Sequence, residues 1–360
     1  MTSTPSASPP TAMEGGGVYN RSSSVQAAGL APAVPWFIEA ARLVPLGLPD
    51  EPLVVADYGS SQGRNSLAPL AAAIGVLRER TAADRPISVV HTDLPGNDFS
   101  ALFQTVIAEP DSYLRGDANI FPYAIGRSFY ESLFPPASVT LGWSSWAVQW
   151  LSSAPAEVPD HIHYSHSASA SVRAAYARQA EEDWQTFLAL RGRELRPGGR
   201  LVILLTALDE DGDFGFCLLW ENLQAVLTEF VAQGFVAPAE LARMAIPGVF
   251  RGRADLLAPF AATGRFAGLE VVQLDTFAGP DPIWDAFEAS GDVNALARSR
   301  AAFTRAFAAP TLAAALDSTP ADGRAAAFGD RLEAALVERF AAAPVRIPYT
   351  LGRVHLVKAS

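Results

Sequence analysis

The chain has 360 residues, and 49% of them are hydrophobic, so it can bury the core of one large α/β domain with insertions or of two domains. Its 38 acidic residues outnumber 27 Lys and Arg, which gives a net charge of −11. Because no basic stripe is visible that could neutralise phosphates, this charge argues against nucleic acids and anionic membranes as partners.

The cysteine content and the N-terminal segment favour a cytoplasmic protein. Cys217 is the only cysteine, so an intrachain disulfide is excluded and a reducing compartment fits. Residues 1–12 are almost entirely Ser, Thr, Pro and Ala, and we predict that they form a disordered tail before a single domain over residues 13–360. They lack the pattern of a secretion signal, and no apolar run approaches the ~20 residues of a membrane span.

A polar segment follows the tail and leads into a helix that Ser22 or Ser23 could cap. Gln26 lies just inside this helix, and an amphipathic run continues through Phe37 and Leu43. From this segment alone, we expect an ordinary solvated helix start.

The turn after the first predicted strand is the most informative stretch. Residues 52–58 form a buried strand that includes Asp57, and a helix begins near Asn65 after a turn with Gly59 and Gly63. Such a turn can bring backbone N–H groups against a nucleotide-like ligand. The spacing G-x-x-x-G, with no Gly-Lys-Ser/Thr after it, excludes a P-loop and disfavours a dinucleotide fingerprint. It is typical of methyltransferases that bind S-adenosylmethionine (SAM), and also of structural turns in other α/β proteins.

The second predicted strand, residues 87–92, is followed directly by Asp93. In a doubly wound sheet, a carboxylate at this position can reach the ribose hydroxyls of a ligand that lies on the first turn. Asp98 is predicted to be the N-cap of the next helix.

Two later features have both a structural and a functional interpretation. If residues 144–151 are helical, Trp146 and Trp150 share a face, and they either fill the core or wall a pocket for a flat ring. His161, His163 and His166 are close in sequence. No Cys, Glu or further His joins them at ligand spacing, so a polar loop is favoured over a metal site.

The remaining pattern predicts a parallel sheet with helical insertions between its late strands. A long helix over 171–195 ends at Pro197-Gly198-Gly199. The other predicted elements are strands over 139–143, 200–205, 269–276 and 354–357, and helices over 220–230 and within 296–340.

Taken together, these segments resemble the SABATH methyltransferases, which pass the methyl group of SAM to carboxylates such as salicylate, benzoate and jasmonate. Some relatives methylate ring nitrogens of purine alkaloids. The resemblance covers roughly residues 15–220, with a weaker continuation to the end. The segments that carry it are Tyr19 with Gln26, the turn over 56–67, residues 93–99, Ser128-Phe129-Tyr130 ahead of Leu133-Phe134-Pro135, Ser144-Ser145 ahead of Trp150-Leu151-Ser152, and the helix end at Glu194-Leu195 with Pro197-Gly198-Gly199.

The resemblance implies a Rossmann-like class I methyltransferase fold. This is an α/β fold with a central, mostly parallel seven-stranded sheet, helices on both faces and a helical cap over the acceptor pocket. Residues 207–268 and 280–345 would contribute most of the cap. Plant relatives are often dimers, so the resemblance leaves a homodimer open.

The resemblance also implies roles for individual residues. Those expected to bind the cofactor SAM are Tyr19, Asp57, Ser60 and Asn65 around its methionine part, Gly59 in the turn, Asp93 on the ribose hydroxyls, Leu94 against the adenine, and Ser128 with Phe129 closing the adenine pocket. Those expected to bind the acceptor are Gln26 and Trp150 as donors to its carboxylate, Trp146 as an aromatic wall, Gln149 at a position that varies with the acceptor, and Trp220 as a further lining residue.

Some positions depart from the family pattern. The basic residue that some carboxyl methylators carry near the N-terminus is absent, with Glu14 nearby, and Arg64 stands where proline is usual. The positions that supply a metal in some relatives correspond to His166, Ala242, Met244 and Ala245, so we predict no metal.

The implied function is methyl ester formation on small, mainly aromatic, carboxylic acids without a general base, because such acids are already ionised at neutral pH. Gln26 favours this branch of the family over N-methylation of a purine-like ring, whereas the polar Gln149 is compatible with a ring heteroatom. A nicotinamide-dependent oxidoreductase and a non-enzymatic cofactor-binding protein are the alternatives.

Overall fold

The computed structural model describes residues 11–213, 215–319 and 322–359. Within these ranges the chain forms twelve α-helices and one eight-stranded sheet. The strands are β1 Leu53–Tyr58, β2 Ile87–Asp93, β3 Ile120–Gly126, β4 Val139–Ser145, β5 Leu195–Ala207, β6 Arg265–Phe266, β7 Leu269–Ala278 and β8 Thr350–Lys358. The helices are α1 Val18–Ser22, α2 Ser24–Leu30, α3 Val34–Leu43, α4 Leu67–Glu79, α5 Phe99–Ala108, α6 Ala170–Glu194, α7 Cys217–Ala232, α8 Pro238–Leu241, α9 Arg253–Leu257, α10 Pro282–Ser290, α11 Val293–Ala313 and α12 Arg324–Ala342.

The sheet has the strand order β3-β2-β1-β4-β5-β8-β7-β6. β1 to β5 pair in parallel, and β8 lies antiparallel between β5 and β7. The predicted α/β fold with a mostly parallel sheet is confirmed. The sheet has eight strands rather than seven because the two-residue β6 adds to β7 at the edge. The strand order reverses between β1 and β4, which is where open α/β sheets bind their ligands.

Helices cover both faces of the sheet. On one face, Phe37 of α3 packs its ring 4.8 Å from Trp143 of β4, and α4 buries Leu70 in the same core. On the other face, Trp184 and Phe187 of α6 pack in a second core. The first core continues into α7, α11 and α12, which form the helical cap. Over the described ranges, none of these helices combines the length and apolarity needed to cross a bilayer.

The N-terminal prediction falls mostly outside the described ranges. Residues 1–10 of the expected tail are not among them. Thr11 is described, and its Oγ1 lies 2.7 Å from Oγ1 of Thr311 in α11. Asp98 is the N-cap of α5, as predicted, because its carboxylate accepts a hydrogen bond from Ala101 N at 2.9 Å.

The structure differs from the sequence analysis in three places. Residues 144–151 are not helical: β4 extends to Ser145, and Trp146 takes a φ of 54°, which turns the chain away from a helical path. β5 begins before Pro197-Gly198-Gly199 rather than after it, and a register shift against β4 absorbs the extra residues. β3 was missed because Pro122 argues against a strand, but an edge strand tolerates proline.

Candidate active site

A pocket lies at the C-terminal ends of β1, β2, β4 and β5, and α7 and α11 contribute to its walls. It brings together most residues that the sequence assigned to the cofactor and to the acceptor. The predicted residues that line it are Tyr19, Gln26, Gly59, Asp93, Leu94, Ser128, Phe129, Trp146, Gln149, Trp150 and Trp220. Asp57, Ser60 and Asn65 do not belong to the lining.

Gly59 lets the turn after β1 approach the turn after β4. Its φ is 84°, in the left-handed region that favours glycine. A Cβ at this position would lie 2.3 Å from the Cβ of Ala147 and 3.7 Å from the ring of Phe129. Both of these residues line the pocket, so the absence of a Cβ at Gly59 lets the two turns approach each other without a clash.

Asp93 ends β2 with both carboxylate oxygens in hydrogen bonds. Oδ2 accepts from Ser61 N and Oδ1 from Leu94 N, each at 2.7 Å. Each oxygen keeps a further lone pair that can accept a hydroxyl. Burial is the main reason that the pKa of Asp93 rises from 3.8 to about 6; the two backbone donors oppose this rise, and the charge of Asp57 adds to it. Burial and the charge of Asp93 also raise the pKa of the Tyr19 phenol, so this group stays a donor beside the carboxylate.

The raised pKa of Asp93 predicts a pH dependence of cofactor binding. The folded state holds this proton more tightly than the unfolded state, so the contribution of Asp93 to the free energy of unfolding falls as pH rises through the window from 3.8 to about 6. If the ribose binds at Asp93 as predicted, cofactor affinity should change the other way, because hydroxyl groups donate better to an ionised carboxylate. We expect S-adenosylhomocysteine (SAH) to bind several-fold more weakly at about pH 5 than at about pH 7.5 by calorimetry. A flat profile, or the same slope in Asp93→Asn, would contradict this assignment.

Asp57 lies beneath the pocket rather than at its surface. Its Oδ2 is 2.9 Å from Nδ1 of His91, and Nε2 of His91 is 2.9 Å from the hydroxyl of Tyr113. All three side chains are buried. This chain of contacts ties β1 to β2, so any effect of Asp57 on the cofactor passes through the position of the turn.

Ser60 and Asn65 are likewise turned away from the pocket lining. Ser60 donates from its hydroxyl to the carbonyl of Thr92 at 3.4 Å, and its backbone N–H bonds the same carbonyl at 3.0 Å. Asn65 accepts a hydrogen bond from the hydroxyl of Ser23 at 3.4 Å. These contacts fix the turn after β1 to β2 and to the N-terminal helices. Cofactor contact by these two residues stays a prediction.

The turn after β4 carries three of the predicted acceptor residues. Gln149 donates from Nε2 to the carbonyl of Trp146 at 2.7 Å, which fixes the orientation of its amide. Its Oε1 is buried and has no hydrogen-bond partner among the described residues. Trp150 lines the pocket with its indole and packs 6.3 Å from the ring of Phe307 in α11.

Gln26 faces the pocket from the first turn of α2 and is 5% exposed. The solvated helix start that the segment alone suggested is therefore wrong, because Gln26 is buried in the pocket wall. One turn later, a Cβ on Gly29 would come within 2.9 Å of the Trp146 ring, so only glycine lets α2 pack this closely on the indole. Gln26 and Trp146 thereby lie on adjacent walls.

Several polar atoms of the lining are buried without a partner in the described residues. They are Gln26 Oε1, Trp146 Nε1, Gln149 Oε1, Thr206 Oγ1 and Trp220 Nε1. Leaving one such group unsatisfied costs about 1–3 kcal/mol. A cluster of them around one pocket indicates a polar ligand that supplies the missing partners.

The sequence analysis missed the contribution of α11. Phe303 and Phe307 line the pocket, and Phe307 packs 5.9 Å from the ring of Trp220. Their spacing of four residues in an alanine-rich helix was a signal for one apolar face. Thr206, at the end of β5, also lines the pocket and was missed, since nothing in the sequence marks it out from the other residues of the strand.

The pocket is nearly free of charged side chains. Among the described residues that line it, none is Lys or Arg. Glu14 is outside the lining, and its carboxylate pairs with Arg305 of α11 at 2.8 Å. His163 lines the pocket and stacks on Trp220 at 4.4 Å. Over the ranges described, no cluster of three or more His, Cys, Asp or Glu side chains is arranged to hold a metal ion.

Comparison with known proteins identifies the family. The profile of the SAM dependent carboxyl methyltransferases matches residues 11–351. Salicylate carboxymethyltransferase of Clarkia breweri is 30% identical over 250 residues, which are 67% of this chain and 67% of that enzyme. A benzoic acid/salicylic acid carboxyl methyltransferase of Petunia hybrida is 30% identical over 210 residues, 55% of this chain and 59% of the relative. The 3,7-dimethylxanthine N-methyltransferase TCS1 of Camellia sinensis var. assamica is 30% identical over 213 residues, 55% of this chain and 58% of its own.

The fold agrees with a solved structure of loganic acid methyltransferase with SAH. The two align with a TM-score of 0.76 at 21% identity, over 97% of this chain and 99% of the other. The fold is that of a class I SAM-dependent methyltransferase. The chain belongs to the family of SAM-dependent carboxyl methyltransferases, the SABATH family that its motifs predicted. This confirms an enzyme with SAM as cofactor and overturns the oxidoreductase alternative.

Proposed function

We propose that the protein transfers the methyl group of SAM to the carboxylate of a small acid, aromatic acids above all, and so forms a methyl ester. The observation that carries this proposal is the shared pocket of Gln26, Trp150 and Asp93. Gln26 and Trp150 are the pair that the family resemblance assigns to a carboxylate, and Asp93 is the residue that it assigns to the ribose. Similarity to the Clarkia and Petunia carboxyl methyltransferases supports the same acceptor class.

The residues present fit SAM. The Asp93 carboxylate keeps free lone pairs at the end of β2, and Gly59 leaves space that a Cβ would fill. Tyr19 stands beside Asp93, and Ser128 and Phe129 would enclose the adenine. When bound, the cofactor supplies an electrophilic methyl group on a sulfonium. The chain has only to hold an acceptor oxygen in line with that methyl, and such alignment can reach effective molarities of ~10⁵ M or more.

Neutral donors suit this task better than a cation. A carboxylic acid with a pKa of about 4 is ionised at neutral pH, so no base is needed. The amide of Gln26 and the indole N–H of Trp150 can orient the carboxylate without clamping its charge in the ground state. The described lining has no Lys or Arg to do so. Aromatic walls exclude water. The loss of hydration raises the free energy of the charged reactants more than that of a transition state in which the two charges cancel.

A second candidate is methylation of a ring nitrogen in a purine-like acceptor. The unpartnered Oε1 of Gln149 favours it, because this atom would accept a hydrogen bond from a ring N–H. Similarity to the Camellia N-methyltransferase points the same way. The same Oε1 could equally accept a hydrogen bond from a carboxylic acid whose ring carries a hydroxyl or N–H. We therefore favour acids with such a second donor over plain benzoate.

The role of Gln149 is tested by Gln149→Leu, which keeps the size of the side chain and removes the acceptor. We expect kcat/KM for acids with a ring hydroxyl or N–H to fall about 10-fold relative to benzoate, since one hydrogen bond is lost. Competition assays with paired acids measure this ratio. Gln185→Leu, on α6 and hydrogen-bonded to Glu181, is the matched control. An unchanged ratio would remove Gln149 from acceptor selection.

The function itself is tested with radiolabelled SAM and a panel of benzoate, salicylate, indole-3-acetate, an aliphatic acid and a xanthine. A gain of one methyl group as a base-labile ester on an acid supports the proposal. Label on the xanthine alone would establish the second candidate instead. Transfer to neither would refute both acceptor classes.

A further inference from the structure

The turn that carries Trp150 is held by side chains from other parts of the chain. It has no regular secondary structure after β4, and Trp146 starts it in the left-handed region. Tyr130 donates from its hydroxyl to the carbonyl of Trp150 at 2.6 Å. The buried Arg251 donates to the carbonyl of Val148 at 2.7 Å. Without these donors, the two buried carbonyls would lack partners.

A further anchor lies at the end of the same turn. The buried carboxylate of Asp183 accepts hydrogen bonds from both the backbone N–H and the hydroxyl of Ser152, each at 2.7 Å. This anchor comes from α6, and Asp183 is not among the residues that line the pocket. Tyr130 differs from it, because it belongs to the loop after β3.

That loop is the one assigned to the adenine. Ser128 and Phe129 line the pocket, and the hydroxyl of Ser128 accepts from Tyr130 N at 3.2 Å. The rings of Phe129 and Tyr130 lie 4.7 Å apart. Beneath the loop, the fully buried Arg191 donates to the carbonyl of Phe129 at 2.9 Å and pairs with Glu194 at 2.8 Å. The loop is therefore a stiff unit, and Tyr130 connects it directly to the backbone of Trp150.

We propose that Tyr130 is a positioning residue. It couples the loop after β3, residues 128–134 (the cofactor loop), to the turn after β4, residues 146–152 (the acceptor turn). Bound cofactor contacts the loop, and the Tyr130 hydroxyl passes the resulting order on to the carbonyl of Trp150 and to the indole that orients the acceptor. This coupling rests on the proposed function of Trp150. It means that cofactor binding prepares the acceptor site, and by linkage that a bound acceptor tightens cofactor binding by the same factor.

The test uses Tyr130→Phe, which removes one oxygen and keeps the ring. Hydrogen exchange is measured with and without SAH. In the wild type, SAH should slow exchange in both the loop over 128–134 and the turn over 146–152. In Tyr130→Phe it should slow exchange in the loop alone. The Kd for SAH without acceptor should stay within about twofold, while kcat falls about 10-fold, since the hydrogen bonds of the Tyr130 hydroxyl with Trp150 O and with Arg251 are both lost.

Two control variants separate coupling from general loosening. Tyr176→Phe removes the hydroxyl of another buried tyrosine that donates to a carbonyl, that of Ala156 at 3.3 Å, outside the pocket lining, and it should behave as wild type. Ser152→Ala weakens the acceptor turn but not its link to the loop, so SAH should still slow exchange there.

Two results would overturn the coupling. One is a wild-type turn that SAH does not protect, and the other is protection that survives in Tyr130→Phe. The exchange experiment requires only SAH, so it can be interpreted even if no acid is methylated. A lack of methylation would refute the proposed acceptor class and not the coupling. Thermal unfolding with SAH-dependent stabilisation verifies that each variant is folded.

Discussion

Replacement of Gln26 by alanine is expected to lower kcat/KM for the best acid by about 100-fold, because a hydrogen bond to a charged group and the alignment it provides are both lost. The Kd for SAH should change less than about twofold, since Gln26 contributes to the acceptor side of the pocket. Steady-state kinetics and calorimetry measure the two quantities on the same preparation. Turnover at the wild-type level would refute the role assigned to this amide.

Trp150→Phe examines the other donor of the pair. It keeps an aromatic ring against Phe307 but loses the indole N–H and part of the ring area, so kcat should fall with little loss of stability. Trp184→Phe is the matched control, because its Nε1 donates to the carbonyl of Leu256 at 3.1 Å in the core behind the sheet. If the control lost as much activity as Trp150→Phe, the effect would be one of packing rather than of carboxylate orientation.

Asp93→Ala is expected to weaken SAH binding by about 100-fold, because the ribose hydroxyls lose a charged acceptor. The alanine also leaves the N–H groups of Ser61 and Leu94 without the carboxylate that now accepts from them. Asp93→Asn separates these effects, since its amide oxygen keeps one of the two backbone bonds. Calorimetry should place the asparagine variant between alanine and wild type.

Acceptor selectivity is a second measurement on Asp93→Ala that should not change. With SAM at saturating concentration, the ranking of acids should be the same in Asp93→Ala as in the wild type, because the residue lies on the cofactor side. A variant with normal SAH affinity would mean that the ribose lies elsewhere. An altered acid ranking would mean that Asp93 reaches the acceptor.

Local sequence signals predicted much of the cofactor side. The turn with Gly59 and the position of Asp93 at the end of β2 follow from short patterns, because one strand end and its turn specify where a ligand can meet the backbone. The resemblance added Gln26 and Trp150, which no local pattern singled out. Gln26 on its own resembled a solvated helix start, since most of the residues that share its pocket lie far along the chain.

The amino-acid sequence by itself determined the fold class, the family, and which side chains carry polar atoms suited to a carboxylate. Only the tertiary structure decided which of them meet. It turned the chain at Trp146 after β4 instead of starting a helix there, brought Phe303 and Phe307 of α11 against the indoles, and set the hydroxyl of Tyr130 on the carbonyl of Trp150. Contacts of this kind depend on how whole elements pack, and the periodicity of a single element does not encode them.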